Sequence, residues 1–376
     1  MAADQTRPRI ALVHDALVNT GGAERAFAYM CEAFPEAQIF TSVYLPGRTY
    51  DAFAARAPLT LWGSSAARSE RATKALLGLW ILGFRSLDLS AYDVVLVSTT
   101  FAAKYVRVRD TAVLACYCYA PFRWLWKPEA YLPGATRRAT LVPVAHVLGG
   151  PLRWFDRGAT RRATRIATSS RFMVEEIRRC YQREAEIIEP PIKVDEYHLQ
   201  AGPGEYYLSV SRLTPHKRVD LLIEACRRLG RALVVVGDGP ERARLTGVAD
   251  GSVRFEGRVS DARLRELYAG CRALLFASHE DYGLVPLEAN ASGRPVVAYR
   301  AGGAVETMIE GETAFFFDEQ SVASLADGIE RFEQATVRPE RIRELSRRYD
   351  LAEFKRRIRE FVLRASQITT AGSVTR

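Results

Sequence analysis

Short apolar runs alternate with amphipathic segments along most of the 376-residue sequence. Runs typical of buried strands occur in the first half at Arg9–His14, Ala37–Val43, Val94–Ser98, Thr111–Tyr119 and Arg165–Thr168. They recur in the second half at Glu205–Ser211, Ala232–Val236, Val253–Glu256, Ala273–Phe276, Arg294–Tyr299 and Thr313–Phe317. Strands that alternate with helices predict parallel sheets covered on both faces, so the predicted fold class is α/β.

A double proline separates the two series of strands. Pro190-Pro191 forces extended backbone and ends regular structure, and residues 192–204 show no periodicity. The chain is long enough for two domains. We therefore predict an N-terminal domain over residues 1–192 and a second domain over residues 193–350. Residues 351–376 are predicted to form a charged helix with a frayed tail from residue 367.

The composition indicates a soluble cytoplasmic protein. Hydrophobic residues make up 48% and charged residues 26% of the sequence, and no apolar run approaches the roughly 18–20 residues of a membrane span. The polar N-terminus and the short run Ile10–Val13 do not fit a secretory signal. The six cysteines are scattered, mostly in apolar stretches, which favours buried free thiols. No ligand spacing predicts a metal site.

The positive charge is concentrated in the first half. Residues 1–190 carry 25 Lys and Arg against 17 Asp and Glu, a net charge of +8, whereas residues 191–376 carry 28 against 27. This asymmetry points to an anionic partner such as a membrane surface, a lipid phosphate or nucleic acid, although a solvated basic surface explains it equally well. Nucleic acid is disfavoured because there is no compact basic run or known module.

Two aromatic segments in the first half are open to two interpretations each. Lys74–Arg85, which contains Trp80 and follows Arg68 and Arg71, fits an interfacial helix on a membrane or a helix of the core. Tyr117–Lys127 follows a strand end, so its rings and cations could line a sugar or phosphate pocket, or pack between domains.

In the second half, the stretch Glu280–Glu288 places two carboxylates in a strand–turn–helix context. The apolar run before it predicts a strand, and a helix is predicted from Leu284 to Ser292. The start of that helix has free N–H groups that suit a phosphate. Glu288, one turn into the helix, could accept hydrogen bonds from sugar hydroxyls, and Glu280 could face a second part of the ligand. Two glutamates eight residues apart also occur by chance.

Further loops at strand ends carry cations and glycines. Arg212 and Lys217 follow one predicted strand, and Gly21-Gly22 follows another. A nicotinamide cofactor is disfavoured because the Gly237-Asp238-Gly239 turn has Arg242 where a dinucleotide fingerprint needs a third glycine. Two cations, a helix start and a carboxylate in adjacent loops predict a site for a sugar diphosphate joined to a ribose.

Taken in order, these motifs resemble family 4 of the retaining glycosyltransferases. The matching stretches are Ser209–Lys217, Val236–Pro240, Gly257–Val259, Glu280–Glu288, Gly293–Ala298 and Gly302–Glu306, with Gly21–Glu24, Ala167–Ser170 and Pro190–Ile192 in the first half. The resemblance implies the GT-B fold, in which two doubly wound, Rossmann-like domains face each other and a C-terminal helix returns to the first.

The resemblance also implies roles for individual residues. Arg212 and Lys217 would hold the donor diphosphate and stabilise the leaving group, and Glu280 would face the donor sugar. The implied donor-binding residues are Gly21, Gly22, Arg258, Val259, Asp281, Tyr282, Gly283, Leu284, Val285 and Glu288. Among them, the amides of Leu284 and Val285 would bind phosphate and Glu288 the ribose. Arg258 and Val259 would flank the base, and Gly21-Gly22 would close on the phosphates. Asp15, Tyr119 and Arg123 would lie on the acceptor or sugar side. Transfer would retain the anomeric configuration, with no metal or other cofactor.

The first half resembles bacterial mannosyltransferases of surface-polysaccharide assembly, such as lipopolysaccharide or exopolysaccharide. Their segment Cys-Tyr-Cys-His-x-Pro-x-Arg-x-x-Trp corresponds to Cys116–Trp126, in which Tyr119 replaces the His. The resemblance implies transfer of a hexose, with GDP-mannose favoured, to a lipid-diphosphate-linked glycan. It also implies a place on the inner face of the plasma membrane, where the basic first domain would meet anionic lipid. A UDP-sugar donor is one alternative. A catalytically weak sugar-nucleotide-binding partner, motivated by Tyr119, is another.

Overall fold

The structure, a computed structural model, describes residues 8–128 and 149–373. The chain divides into two compact units. The first comprises the residues up to Glu189 together with those from Phe354 onward, and the second is Pro190–Glu353. The divisions lie after residues 189 and 353, against predicted boundaries after 192 and 350. The double proline therefore opens the second unit.

The first unit is built on a parallel sheet of seven strands in the order β3-β2-β1-β4-β5-β6-β7. The strands are β1 (Ile10–His14), β2 (Gln38–Thr41), β3 (Leu59–Thr60), β4 (Val94–Thr99), β5 (Val113–Cys118), β6 (Arg165–Thr168) and β7 (Glu186–Ile187). Every residue of β4 and β5 is buried, which explains their unbroken apolar runs. The edge strands β3 and β7 were not predicted, because two residues are too few to show a period.

Helices cover this sheet. They are α1 (Gly22–Ala33), α2 (Glu70–Ala75), α3 (Leu77–Ser86), α4 (Arg123–Trp126), α5, described over residues 149–161, and α6 (Arg171–Tyr181). The Ser170 hydroxyl caps α6 by accepting a hydrogen bond from the Met173 N–H. The four cysteines of this unit are buried and unpaired, as predicted, and so are the two of the second unit.

Helix α3 corrects one prediction. The Trp80 side chain is fully buried, and its indole N–H donates a hydrogen bond to the Thr73 carbonyl at 2.8 Å. Phe84, one turn later, is also fully buried. The interpretation of Lys74–Arg85 as an interfacial helix with Trp80 in the membrane is therefore wrong, and the core-helix alternative is correct. The polar flanks and a central tryptophan resemble an interfacial helix because both kinds of helix present one apolar face.

The second unit contains a six-stranded parallel sheet in the order β10-β9-β8-β11-β12-β13. Its strands are β8 (Tyr206–Val210), β9 (Leu233–Val236), β10 (Val253–Gly257), β11 (Cys271–Phe276), β12 (Val296–Tyr299) and β13 (Ala314–Phe317). Its helices are α7 (Val219–Leu229), α8 (Arg242–Val248), α9 (Asp261–Gly270), α10 (Leu284–Ala291), α11 (Ala304–Thr307), α12 (Val322–Gln334) and α13 (Pro339–Ser346). The strand order reverses between β8 and β11, and open sheets of this type bind ligands at such a point.

The last helix, α14 (Leu351–Ser373), packs on the first unit, as the resemblance implied. Phe354, Ile358 and Phe361 are buried. The Arg357 guanidinium pairs with Glu189 and donates to the Ile187 carbonyl. The helix continues through Ser373, so the tail predicted to fray from residue 367 is helical over 367–373.

Candidate active site

The loops that follow β8 and β11 bring two predicted catalytic residues together. The Lys217 ammonium forms an ion pair with Oε1 of Glu280, and the Ser278 hydroxyl donates to the same oxygen at 2.9 Å. The side chains of Lys217 and Glu280 are 16% and 29% exposed, respectively. The pair is therefore sheltered and still accessible to a ligand at the carboxyl edge of the sheet.

Two glycines pack closely against the backbone of the loop that carries Arg212. A Cβ atom on Gly237 would lie 1.9 Å from the Ser211 carbonyl oxygen, and one on Gly239 would lie 2.3 Å from the Leu213 carbonyl oxygen. The Leu213 N–H in turn donates to the Asp238 carbonyl at 3.0 Å. The Gly237–Gly239 turn thus allows a close approach of backbone to backbone, which only glycine permits.

The surroundings of Lys217 hold an excess of positive charge. Arg212 is exposed, and its guanidinium has no ion-pair partner within the described part of the chain. Burial lowers the pKa of His216, and so do the charges of Lys217 and Arg212, whereas Glu280 raises it. Two cations and one carboxylate thus lie close enough to His216 to act on its pKa, and this excess of positive charge attracts an anion.

The start of α10 lies next to this pair in the chain. Gly283 precedes the helix with φ +85°, and no side chain caps the helix. The N–H groups of Leu284 and Val285, in its first turn, have no hydrogen-bond partner among the residues described. Free N–H groups and the helix dipole favour an anion at this end.

Glu288 and Tyr282 are both buried. Glu288 is 4% exposed, and its Oε2 accepts a hydrogen bond from the buried Tyr268 hydroxyl at 2.8 Å. Sequence analysis missed Tyr268, which lies on α9 in an apolar setting that carries no functional signal. Tyr282 is also buried, and its hydroxyl donates to the Pro190 carbonyl at 3.1 Å. Asp281, between Glu280 and Tyr282, is partly exposed.

A second glycine pair positions the Glu280 loop. Cβ atoms on Gly302 and Gly303 would each lie 2.1 Å from a carbonyl oxygen, that of Glu280 and that of Tyr282, respectively. The Gly303 N–H donates to the Glu280 carbonyl at 2.8 Å. The backbone at 302–303 therefore fixes the backbone at 280–282.

Arg258 and Val259 follow β10, two strands from β8 at the same edge of the sheet. Arg258 is exposed, whereas Val259 is partly buried against the core of the unit. The Gly237 turn contacts both this loop and the Arg212 loop. The Gly237 N–H donates to the Gly257 carbonyl at 2.7 Å, and Gly237 lies against the Ser211 carbonyl.

In the first unit, Asp15 organises the loop after β4. Its carboxylate accepts hydrogen bonds from the N–H groups of the four residues from Thr100 to Ala103, at 2.5 to 3.0 Å. It also accepts one from the Thr99 hydroxyl at 3.0 Å. These bonds satisfy the oxygens of a side chain that is only 4% exposed.

Tyr119 joins β5 to the beginning of α1. Its hydroxyl donates to the Ala23 carbonyl at 2.9 Å and lies 3.0 Å from the Ser98 hydroxyl, which is itself 3.0 Å from Nδ1 of His14. Burial lowers the pKa of His14 to about 4, so this imidazole is neutral at pH 7. Arg123, at the start of α4, is partly exposed.

Glu24 is a feature of the first unit that sequence analysis did not single out. Its carboxyl group bends back over the start of α1, where a Cβ on Gly21 would lie 2.5 Å from its Oε2. Burial raises its pKa to about 7, and the charge of Asp15 adds to that rise, while bonds from the Gly21 and Glu24 N–H groups oppose it. The position of Glu24 in the sequence could have indicated this contact. Glu24 is the third residue of the helix, and a glutamate at that position reaches back to the N-cap in a capping box.

Within 8–128 and 149–373, no group of three or more His, Cys, Asp or Glu is placed to hold a metal ion. No helix in the same ranges combines the length and the apolar character needed to cross a membrane.

Comparison with known sequences gives a match in the second unit. Residues 195–349 match the family model "Glycosyl transferases group 1". A GDP-mannose-dependent alpha-(1-6)-phosphatidylinositol monomannoside mannosyltransferase of Mycobacterium tuberculosis is 38% identical over 34% of this chain and 38% of its own. A glycogen synthase of Pseudomonas syringae is 30% identical over 38% of this chain and 32% of its own. The chain thus spans about a third of the length of these curated relatives.

Comparison with solved structures covers both units. Anabaena HepE, solved in complex with UDP and glucose, has a TM-score of 0.67 at 17% identity and covers 94% of this chain and 99% of its own. The sucrose-phosphate synthase of Thermosynechococcus elongatus has a TM-score of 0.70 at 17% identity and covers 98% and 100%. At these identities the similarity concerns the fold, and it confirms the predicted α/β fold of GT-B type. The second unit therefore matches the group 1 glycosyl transferases by sequence, within a chain that has their two-sheet fold throughout.

Proposed function

We propose that this protein is a retaining glycosyltransferase that transfers a hexose, with mannose from GDP-mannose as the favoured donor, to a lipid-diphosphate-linked glycan of a cell-surface polysaccharide. The observation that carries the proposal is the Lys217–Glu280 pair, which lies where the strand order of the sheet reverses, with Arg212 in the same loop as Lys217. A site with surplus cations next to a free helix start suits a nucleotide sugar.

The same geometry suggests how each group would act. Lys217 and Arg212 would bind the donor diphosphate, with the Leu284 and Val285 amides, and would stabilise the charge that develops as the phosphate departs. Glu280 would hold a hydroxyl of the sugar. The departing phosphate would take the proton of the acceptor hydroxyl, so the protein supplies position and electrostatics rather than a base.

Glu288 would bind the ribose, with Tyr268 fixing the orientation of its carboxylate. Arg258 and Val259 would border the base. Asp281, Tyr282 and Gly283 would shape the wall around the sugar. The cations and the helix start would neutralise the diphosphate in place of a metal ion. We therefore propose that turnover needs no metal and survives chelation.

Two donors are supported to different degrees. The mycobacterial relative is GDP-mannose-dependent, and the Cys116–Trp126 segment resembles mannosyltransferases. The HepE structures contain UDP, one of them with UDP-glucose, which supports a UDP-sugar as the alternative donor. The mannosyltransferase is 38% identical to this chain over the matched residues, whereas HepE is 17% identical, and we therefore favour GDP-mannose.

The acceptor side of the proposal rests on the first unit. Its half of the sequence carries a net charge of +8, which suits an anionic membrane surface on the inner face of the plasma membrane. Tyr119 and Arg123 would then lie near the incoming acceptor, and Asp15 would hold the loop after β4 in place.

A donor screen tests the proposal. The purified chain is incubated with GDP-mannose, UDP-glucose or UDP-galactose and a lipid-diphosphate disaccharide, with and without EDTA, and products are identified by mass spectrometry. We expect one added hexose from GDP-mannose. Addition from a UDP-sugar alone would establish the alternative donor. Binding of a nucleotide sugar without turnover on any acceptor tested would favour the sugar-nucleotide-binding partner, and absence of binding would contradict the proposal.

A further inference from the structure

A buried ion pair of the first unit lies against the short helix α4. The Lys104 ammonium is 2.9 Å from Oδ1 of Asp156, and the two side chains are 2% and 0% exposed, respectively. We propose that this pair positions α4 and thereby sets how well the protein binds its acceptor. The inference rests on the proposed function, in which Arg123 on α4 lies near the incoming acceptor. It adds two positioning residues that are too deeply buried to touch a substrate.

Both ends of α4 are bonded to the ion pair. The indole N–H of Trp126, the last residue of the helix, donates to Oδ2 of Asp156 at 2.8 Å. At the other end, the Phe122 N–H donates to the Tyr181 hydroxyl at 3.1 Å. The Lys104 ammonium donates to the same hydroxyl oxygen at 3.0 Å. One ion pair therefore holds the residue before the helix and the residue that ends it.

Helix α4 needs such contacts because it is too short to be stable alone. Its four residues form about one turn, and isolated helices shorter than about 12–15 residues are marginal in water. Helix α5 gives further support. Nε of Arg153 donates to the Leu125 carbonyl at 3.1 Å, and the Arg157 guanidinium lies 5.0 Å from the centre of the Trp126 ring. The conformation of α4 is therefore set by its neighbours.

The ion pair is costly to bury, which argues for a task other than stability. Two buried ions lose their hydration, and well-packed apolar side chains of similar volume are often equally stabilising or more so. The Tyr105 hydroxyl also donates to Oδ1 of Asp156, at 2.6 Å. Three rings lie with their centres 5.4 to 5.7 Å from the Lys104 ammonium, those of Tyr105, Phe122 and Tyr181. A polar network bonded in this way specifies one arrangement of the segments that it joins.

Two variants of the full chain test the proposal. Lys104→Met/Asp156→Leu replaces both ions with apolar side chains and leaves neither charge unpaired. Tyr181→Phe keeps the ion pair and removes only the hydroxyl between Lys104 and the Phe122 N–H. Tyr207→Phe is the matched control, because it loses an equally buried hydroxyl, bonded to Glu333 at 2.8 Å in the second unit. Melting temperatures establish which variants fold.

Two measurements are made on each folded variant. Hydrogen exchange of the amides over residues 122–127 is followed by mass spectrometry. Transfer kinetics are measured with the lipid-diphosphate disaccharide and the donor that the parent chain uses. We expect both test variants to exchange these amides about tenfold faster or more, with the control unchanged. We expect the KM for the acceptor to rise about fivefold or more, with the KM for the donor unchanged. A general loss of stability would not separate the two KM values.

Exchange over residues 122–127 that is as slow in the test variants as in Tyr207→Phe would overturn the proposal, whatever the kinetics. Faster exchange with an unchanged KM for the acceptor would restrict the ion pair to a structural role and would also overturn it. If the parent chain transfers no hexose from any donor, the acceptor role falls together with the proposed function. Hydrogen exchange then decides by itself whether the ion pair positions α4.

Discussion

At the scale of single residues, two carboxylates of this protein have opposite environments. Glu280 is partly exposed and pairs with Lys217. Glu24 is buried, has Asp15 as a charged neighbour, and is bonded to the N–H groups of its own helix start. The first carboxylate is open to a ligand, whereas burial makes a charge on the second costly. The two residues therefore predict different responses to mutation and to pH.

Replacing Lys217 with Ala should reduce turnover far more than stability. The ammonium is proposed to stabilise the departing phosphate, and loss of such a group typically costs roughly 100-fold or more in kcat. A partly exposed ion pair contributes little to folding, about 1 kcal/mol or less. Steady-state kinetics and thermal unfolding of the variant check both statements. A collapsed melting temperature with unchanged donor affinity would assign Lys217 to folding instead.

Glu24 should make stability depend on pH. Its pKa rises from 4.5 to about 7 on folding, so the folded state takes up a proton there. The stability that this gives is complete below pH 4.5 and is lost as the pH rises through 7. At pH 8 the ionised, buried carboxylate costs up to roughly 3 kcal/mol.

Glu24→Gln should therefore raise the melting temperature over the parent at pH 8, with the difference shrinking toward pH 5. Glu36→Gln, at an exposed site nearby, should show no such trend. Melting curves at a series of pH values provide the measurement, and parallel curves for the parent and Glu24→Gln would refute the assignment.

At the scale of elements, loops are held in place by contact between backbones. The Glu280 loop rests on Gly302-Gly303, and the Arg212 loop rests on Gly237 and Gly239. A glycine in such a loop is needed because it has no side chain, which lets two backbone segments pack closely, and not because it binds a ligand. This is why the Gly237-Asp238-Gly239 turn resembles a phosphate-binding motif in sequence but performs a structural task.

Gly303→Ala should displace the Glu280 loop, because the new methyl group would meet the Tyr282 backbone. We expect a loss of donor affinity of at least tenfold and a destabilisation of about 1–3 kcal/mol. Gly251→Ala is the control, since a Cβ there meets nothing within 4 Å. Calorimetric donor binding and denaturant unfolding separate the two effects. Equal behaviour of the two variants would mean that the close contact is not needed.

Helix α14 offers a comparison within one element. Phe361 is fully buried against the first unit, whereas Leu363 is 55% exposed. Phe361→Ala should destabilise the protein by about 3–5 kcal/mol, and Leu363→Ala by less than about 0.5 kcal/mol. Chemical unfolding monitored by circular dichroism gives both values. Similar small losses would show that α14 does not contribute to the core of the first unit.

At the scale of the whole molecule, sequence patterns were sufficient for the fold and for much of the second unit. Buried parallel strands are continuous apolar runs, so most strands were predicted within two residues of their observed ends. The Lys217–Glu280 contact could be anticipated because adjacent strand ends in a parallel sheet share one edge. The edge strands β3 and β7 could not, because their two-residue pairings leave no pattern.

Properties that depend on packing could not be predicted from the sequence. Trp80 has the same neighbours in sequence whether its face meets lipid or protein, and only the structure shows it in the core. The contact of Tyr268 with Glu288 joins two helices, and no local spacing encodes it. The same is true of Glu24, whose pKa depends on the burial of its carboxyl group rather than on its position in the motif.

We propose above all that the second unit binds a nucleoside-diphosphate sugar through Arg212 and Lys217. Isothermal titration of the full chain with GDP-mannose and with UDP-glucose tests it most directly, using Arg212→Ala and, as control, Arg228→Ala at an exposed site. We predict that one donor binds the parent chain and the control alike, and that Arg212→Ala weakens its Kd at least tenfold, as expected for loss of a charge-assisted bond of roughly 1.5–3 kcal/mol. Absence of binding by either donor, or equal affinity of Arg212→Ala and Arg228→Ala, would contradict the claim.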